Sequence, residues 1–279
     1  MRKFTERKIM AFEMHLMEEE KSAATIQKYI RDVRSFWQWL KKNGFEKSDV
    51  LEYKKFLCKK YAPASVNSAL SSINCFFSFQ GWFELRVKSL KIQKTIFRDS
   101  GKSLTKAEYG RLLSAAMQLN DRRTYFLMQT ICSTGIRVSE LRYITTQAVS
   151  DGVAEIRCKG KRRCVFLPNQ LCKLLKQYIK ENRIKDGAVF VTKHGNPLDR
   201  SNVWDSMKKL CKAAHVSEEK VFPHNLRHLF ACTYYSQRKD IVRLADLLGH
   251  SNVNTTRIYT METGEVHRKQ IQELGLLRC

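Results

Sequence analysis

Six side chains in this sequence have the types and order needed to break a phosphodiester without a metal. His224 and Arg227 stand in H-N-L-R-H, His250 in L-G-H, and Tyr259 in T-T-R-I-Y-T. Upstream are Arg137 in S-T-G-I-R-V-S-E-L and Lys159 in C-K-G-K-R-R. A phosphodiester repels nucleophiles by its charge, so such a site must hold the non-bridging oxygens with fixed donors. Arginine suits the task because its planar fork stays protonated and grips two oxygens at once. Arg137 and Arg227 are the candidates, and Glu140, three residues after Arg137, is placed to orient it. Tyrosine supplies an oxygen nucleophile that also leaves readily, which makes a covalent phosphoryl intermediate reversible. Its ordinary pKa is near ~10, so neighbouring positive charge must favour the phenolate as it attacks.

Spacing supports a shared site. On a helix, His224, Arg227 and His228 lie on one face, because residues three and four apart are neighbours. The flanking Leu226, Leu229 and Phe230 make that helix half-buried, with its polar stripe turned toward a cleft. Gly249 ends a helix and delivers His250 from a fixed corner, where a hydrogen bond to the scissile phosphate is its expected task. His228 is expected to pack or support. Lys159, with Lys161 second, is positioned on a basic hairpin to protonate the leaving oxygen, although the cluster Lys159, Lys161, Arg162, Arg163 also suits a purely electrostatic role.

These motifs resemble those of the tyrosine recombinases, the phage integrase and Xer-type enzymes that cut and rejoin DNA through a phosphotyrosine. The likeness runs along nearly the whole chain and is most specific in Thr134–Leu141 and Phe222–Tyr259. It implies an N-terminal four-helix, SAM-like core-binding domain and a mostly helical catalytic domain with a small β-hairpin, the two forming a clamp on the duplex. It implies catalytic roles for Arg137, Lys159, His224, Arg227, His250 and Tyr259, with His224 exchanging protons with the tyrosine. It also implies a C-terminal helix that docks on a neighbouring protomer, and a homotetramer on a DNA synapse, monomeric or dimeric when free. Neither a metal, a nucleotide cofactor nor a small-molecule ligand is called for.

Composition agrees. The 279 residues suffice for two domains, each with its own core. Fifty-one Lys and Arg against 27 Asp and Glu give a net charge of +24, which makes a polyanion, here double-stranded DNA, the natural partner. The excess is spread over both halves, +10 through Arg98 and +14 beyond it. Nine cysteines show no C-x-x-C spacing, so they read as small buried hydrophobes in a reducing cytoplasm. The first twenty residues carry charges every few positions, which argues against a signal peptide or membrane span. A cytoplasmic protein, on the nucleoid if bacterial, is expected.

The elements that must position these residues follow from periodicity and caps. Helices are predicted over Thr5–Glu20, with Ile9, Phe12 and Leu16 inward, and over Ala23–Leu40, with Ile26, Tyr29, Val33, Trp37 and Leu40 inward and Asn43-Gly44 as a left-handed end. Two more cover Asp49–Lys60 and the stretch opened by Pro63. Residues 1–85 form this first domain. Residues 86–102, with Arg86, Lys88, Lys91, Lys94, Arg98 and Lys102 against Asp99 alone, read as a basic linker along DNA phosphates.

The second domain, 103–279, opens on the capping box Thr105-Lys106-Ala107-Glu108 with Leu104 and Tyr109 as a hydrophobic staple. A helix over Arg122–Ser133 runs into Gly135, and a short one follows from Arg137 to Leu141. Val153–Cys158 and Arg163–Leu167 read as strands around a basic tip, with Ala188–Val191 as a further candidate. Helices are predicted over Gln170–Asn182, Arg200–Ala214, His224–Ser236 and Ile241–Leu248. The tail after Tyr259 has a partly apolar face at Val266, Ile271, Leu274 and Leu277.

Two rival readings remain at this stage. A type IB topoisomerase would use the same chemistry but rejoin the same strand as a monomer, and a catalytically silent DNA-binding protein of this fold would lack one of the six residues. None is missing. The absence of an added N-terminal arm-binding segment suggests simple core sites, and the integrase of a mobile element is favoured over chromosome dimer resolution or phage integration.

Overall fold

Thr5 begins the first helix by accepting a hydrogen bond from the Lys8 amide, one of the donors that a helix start leaves unpaired. This is α1 (Glu6–Glu18), and it buries Ile9, Phe12 and Leu16 as its spacing predicts. The structure, a computed structural model, describes residues 2–41, 44–92, 100–158, 161–192, 194–260 and 271–274. Two compact units emerge, Met1–Lys94 and Thr95–Cys279.

In the first unit, α2 (Ala23–Leu40) is capped by Ser22 and buries Ile26, Ile30, Val33, Phe36 and Leu40. Tyr29 and Trp37, expected inside, lie half-buried at the edge of the core. The apolar stripe on this helix is broad, and packing against α1 and α4 (Pro63–Phe79) selects the Ile30 and Phe36 side of it. The helix ends at Lys41, itself left-handed at φ 49°, earlier than Asn43-Gly44; Asn43 lies outside the described residues. Between them, α3 (Lys47–Lys60) starts on a reciprocal cap in which the Glu46 amide donates to the Asp49 carboxylate at 2.8 Å. The core is mainly aromatic: Phe4 lies 5.0 Å from Phe45 and 5.2 Å from Phe76, ring centre to ring centre, with Phe36, Phe77 and Trp82 around them.

The start of the basic stretch read as a linker is fastened to this unit. Asn74 exchanges two hydrogen bonds with the backbone of Val87, at 2.8 and 3.0 Å, and Asn67 does the same with Leu90, at 2.9 and 2.7 Å. Two amide side chains one face apart on α4 thus act as a strand partner for an extended segment. Residues 93–99 lie outside the described residues.

The second unit opens with α5 (Lys106–Gln118), where the Thr105 hydroxyl takes the Glu108 amide and the Glu108 carboxylate takes the Thr105 amide. Then come α6 (Arg122–Thr134), a 3-10 turn over Val138–Tyr143, α7 (Thr146–Asp151) and an antiparallel hairpin of β1 (Val153–Cys158) and β2 (Lys161–Phe166). In its register Cys158 faces Lys161 and Arg157 faces Arg162, so β2 begins two residues earlier than the predicted strand. After α8 (Asn169–Glu181), the stretch Ala188–Val191 makes only isolated bridges, Thr145 to Ala188 and Val191 to Pro197. Val189 and Phe190 are buried there by core packing rather than by a sheet.

The long helix predicted from Arg200 is two, α9 (Arg200–Lys208) and α10 (Cys211–Ala214), separated by a tightened turn in which the Leu210 amide reaches back three residues to Met207. The last elements are α11 (Pro223–Arg238), α12 (Ile241–Leu248) and a 3-10 turn over Val253–Tyr259. Of the tail, Ile271 and Leu274 are exposed, while Val266 and Leu277 lie outside the described residues. Among the described residues no helix is long and apolar enough to cross a membrane.

Phe36 is fully buried against the rings of Phe4, Phe45, Tyr53 and Phe77. Phe36→Ala is expected to destabilise the first unit by about 3–5 kcal/mol, read as a lowered urea midpoint. A midpoint unchanged from wild type would mean that this aromatic core is not formed.

Candidate active site

A guanidinium buried in the middle of the second unit organises the site. Arg227 projects from α11 and is 2% exposed. Its Nη1 donates to the Gly135 carbonyl at 2.6 Å, and its Nη2 donates to the Leu248 carbonyl at 2.7 Å and to His250 Nε2 at 3.1 Å. Both carbonyls belong to helix ends, where the last acceptors have no intrahelical donor. Burial, then the charge of Arg137, lowers the Arg227 pKa to about 10, which still leaves it a cation at neutral pH.

Two glycines allow this close assembly. Gly135 ends α6 at φ 67°, and a Cβ there would stand 2.4 Å from the Phe230 ring on α11. Gly249 ends α12 at φ 64°, and a Cβ there would stand 2.5 Å from the Arg163 stem. Only glycine meets both the left-handed backbone and the lack of room.

Arg137 follows Gly135 by two residues and caps the 3-10 turn over Val138–Tyr143. The Glu140 carboxylate accepts from the Arg137 amide at 2.8 Å and from its guanidinium at 3.0 Å, as the spacing suggested. Glu140 is buried and also accepts from Arg163 Nη2 at 2.6 Å. Burial works against its charge, yet the Arg137 amide and the two guanidiniums outweigh it and hold the carboxyl below its usual range. The Arg137 side chain is 42% exposed, so its free N–H groups face solvent.

Arg163 had been read only as part of a charged hairpin tip. It instead ties three elements together, since its Nη1 also donates to the Leu247 carbonyl at 2.5 Å. Its signal in sequence was lost among neighbouring basic residues.

His224 lies in the first turn of α11 and is exposed, with burial of part of its ring and then Arg227, Arg137 and Arg200 depressing its pKa. His250 is half-buried. Its pKa falls to about 4 through burial and then the charges of Arg227, Arg137 and Arg163, so it is neutral at physiological pH. Because Arg227 donates to Nε2, that nitrogen accepts here; the donation to a phosphate expected of it would require an added proton or a rearranged contact.

Tyr259 closes the last 3-10 turn and is 3% exposed. Its ring stacks at 6.3 Å on His250 and meets His228 edge-on at 5.1 Å. Burial raises its pKa, against which the charge and a hydrogen bond of Arg227 act. In this arrangement the tyrosine is a protonated phenol.

The fold therefore gathers Arg137, Arg227, His250 and Tyr259, with His224 close enough to feel both arginines. Lys159 lies outside the described residues, so nothing is placed at the hairpin tip. A cleft of about 650 Å³ opens beside the group, lined by Arg137, Glu140, Arg162, Arg163, Asp246 and His250. It is wide enough for a phosphate backbone and positive in balance. Among the described residues no His, Cys, Asp or Glu cluster has the arrangement of a metal site. One further residue escaped sequence reasoning, Thr256, buried against His250, whereas His228, expected to pack or support, packs edge-on against the tyrosine ring.

The Phage integrase family matches residues 102–265, and the phage integrase N-terminal SAM-like domain matches residues 9–82. The chain is 31% identical over 277 residues to tyrosine recombinase XerA of Thermococcus kodakarensis, covering 96% of this chain and 95% of that one. It is 27% identical over 278 residues to tyrosine recombinase XerD of Halalkalibacterium halodurans, covering 90% and 91%. In structure it resembles a lambda integrase(75-356) dimer bound to a COC' core site, with a TM-score of 0.76 at 17% identity over 93% of this chain and 96% of that one. It also resembles XerH bound to difH substrate in a pre-cleavage complex, with a TM-score of 0.70 at 21% identity over 90% and 80%. The chain belongs to the phage integrase family of tyrosine recombinases.

An unfolded histidine titrates near ~6.5, whereas His250 in the fold stays neutral down to about 4. Between these values the unfolded chain binds more protons, so stability is lost as pH falls through that window. His250→Gln is expected to remove part of this slope, with His224 retaining its own smaller share in the same direction. Urea titrations at stepped pH measure it, and an identical slope in the variant would mean that the His250 ring is solvated.

Proposed function

We propose that this chain is a site-specific DNA recombinase in which Tyr259 attacks a scissile phosphate and leaves a 3′-phosphotyrosine. The observation that carries this reading is the burial of Tyr259 against the Arg227–His250 pair, with Arg137 at the same cleft. Arg137 and Arg227 hold the non-bridging oxygens and stabilise charge as it builds on phosphorus. His224, its pKa lowered by partial burial and then by its cationic neighbours, takes the phenol proton. As the Oη–P bond forms, the P–O5′ bond breaks, and Lys159 supplies a proton to the departing 5′ oxygen. A 5′ hydroxyl from a partner duplex then reverses these steps, and the energy of the broken bond is conserved in the phosphotyrosine.

The two units act as a core-binding domain and a catalytic domain that together grip double-stranded DNA, an assignment supported by the charge of +24 and by a SAM-like match confined to the first. Four copies assemble on a synapse, as in the solved lambda integrase tetramer bound to a Holliday junction, and the free protein is a monomer or dimer. The segment after Tyr259 makes the contact between protomers. The enzyme works in the cytoplasm, on the nucleoid in a bacterial host. A topoisomerase of type IB is separated from this reading by supercoil relaxation by the monomer, which is not expected.

The test is a pool of randomised duplexes, each with a nick that lets the short fragment bearing the new 5′ hydroxyl escape after cleavage. Wild-type protein should form a denaturant-resistant adduct with these duplexes, and sequencing the trapped DNA gives the target. Tyr259→Phe should abolish the adduct with DNA affinity intact, and Arg227→Ala or Arg137→Ala should slow its formation by ~10²-fold or more. An adduct that persists in Tyr259→Phe would assign the nucleophile elsewhere.

A further inference from the structure

His250 is held through both ring nitrogens. Nε2 lies 3.1 Å from Arg227 Nη2, and Nδ1 lies 2.9 Å from the Thr256 hydroxyl oxygen. A guanidinium has N–H groups and no acceptor, so Nε2 must be unprotonated, and a neutral imidazole then carries its hydrogen on Nδ1. Nδ1–H donates to Thr256. That threonine is fully buried and sits three residues before Tyr259 on the same 3-10 turn.

We propose that Thr256 is a positioning residue for strand cleavage: by accepting from Nδ1–H it holds the His250 ring in the rotation that turns Nε2 to Arg227, and so fixes the direction of the guanidinium. The proposal rests on the reading of Arg227, His250 and Tyr259 as the cleavage site. Charged and titratable groups face the imidazole from each neighbouring element: Arg227 and His224 on α11, Arg137 on the preceding 3-10 turn and Arg163 on β2, with Glu140 and Asp246 lining the same cleft. The cations disfavour a second proton on the ring. Arg227 makes the choice between the two neutral tautomers, and the hydroxyl at position 256 receives the resulting Nδ1–H and holds the rotation of the ring. In the other tautomer, Nε2–H would point at an Arg227 N–H, leaving two buried donors opposed and neither satisfied. The same bond links the corner that carries His250 to the turn that carries Tyr259.

Thr256→Val keeps the shape and removes the acceptor, whereas Thr256→Ser keeps the acceptor. Protein labelled with ¹⁵N at histidine reports the protonated ring nitrogen, and the His250 signal is assigned by its loss in His250→Gln. Single-turnover cleavage of a nicked duplex recovered from the randomised pool, and affinity for that duplex, are measured alongside. Wild type and Thr256→Ser should carry the proton on Nδ1 and cleave at similar rates. Thr256→Val should lose the wild-type His250 ring signals, as Nδ1–H is left without its acceptor and the imidazole turns, and cleave about tenfold or more slowly, with unchanged DNA affinity. A valine variant with the wild-type His250 spectrum or rate overturns the proposal, as does a serine variant as slow as valine with the proton still on Nδ1. If the valine variant fails to fold, a wild-type spectrum with the proton on Nε2 overturns it and one on Nδ1, with serine active, supports it. No adduct from wild-type protein overturns the cleavage reading and the proposal together, whereas a normal wild-type adduct with an unaltered valine variant overturns the proposal alone.

Discussion

A buried arginine has to be given acceptors, because a desolvated cation left unpaired costs more than a domain of this size can spare. Arg227 meets that demand with two helix-end carbonyls and an imidazole nitrogen. The acceptors come from two distant stretches of chain, the end of α6 and the corner after α12, so the guanidinium is satisfied only when α6, α11 and α12 have converged. The two glycines are consequences of the same demand, since they let the backbone at positions 135 and 249 turn left-handed in tightly packed surroundings. A group whose position is set this firmly can meet a developing charge without first reorganising.

Around that centre the electrostatics are lopsided by design of the fold. Arg137, Arg163 and Arg227 surround one buried carboxylate, Glu140, which pairs with the first two and braces the more exposed Arg137 toward solvent. Burial and then the surplus positive charge depress both histidines, and that charge opposes the rise that burial imposes on Tyr259. A phosphate entering the cleft would relieve repulsion among the arginines, so the site suits an anion. The buried phenol stays protonated until a base removes its proton.

The first unit uses different physics. Its helices close on interlocked aromatic rings, and asparagine side chains on α4 secure the extended segment that leaves it.

Much of this was legible in the order of residues. Capping at Thr5, Ser22 and Thr105, proline at the start of α4, and glycine after α6 and α12 are local signals, so the helices fell close to where they were read. The H-x-x-R spacing and the L-G-H and I-Y motifs singled out His224, Arg227, His250 and Tyr259, and one-turn proximity singled out Glu140. What sequence could not supply was long-range choice. A broad apolar stripe on α2 left open which side faces inward, and only packing selected Ile30 and Phe36 over Tyr29 and Trp37. One arginine in a run of four basic residues gave no sign that it would clamp Glu140 and Leu247. Thr256 looked like any other polar residue in T-T-R-I-Y-T, because its partner is chosen by the corner at Gly249. Caps and motifs depend on neighbours in the chain, whereas acceptors for buried charges are decided by which distant backbone ends the fold brings together.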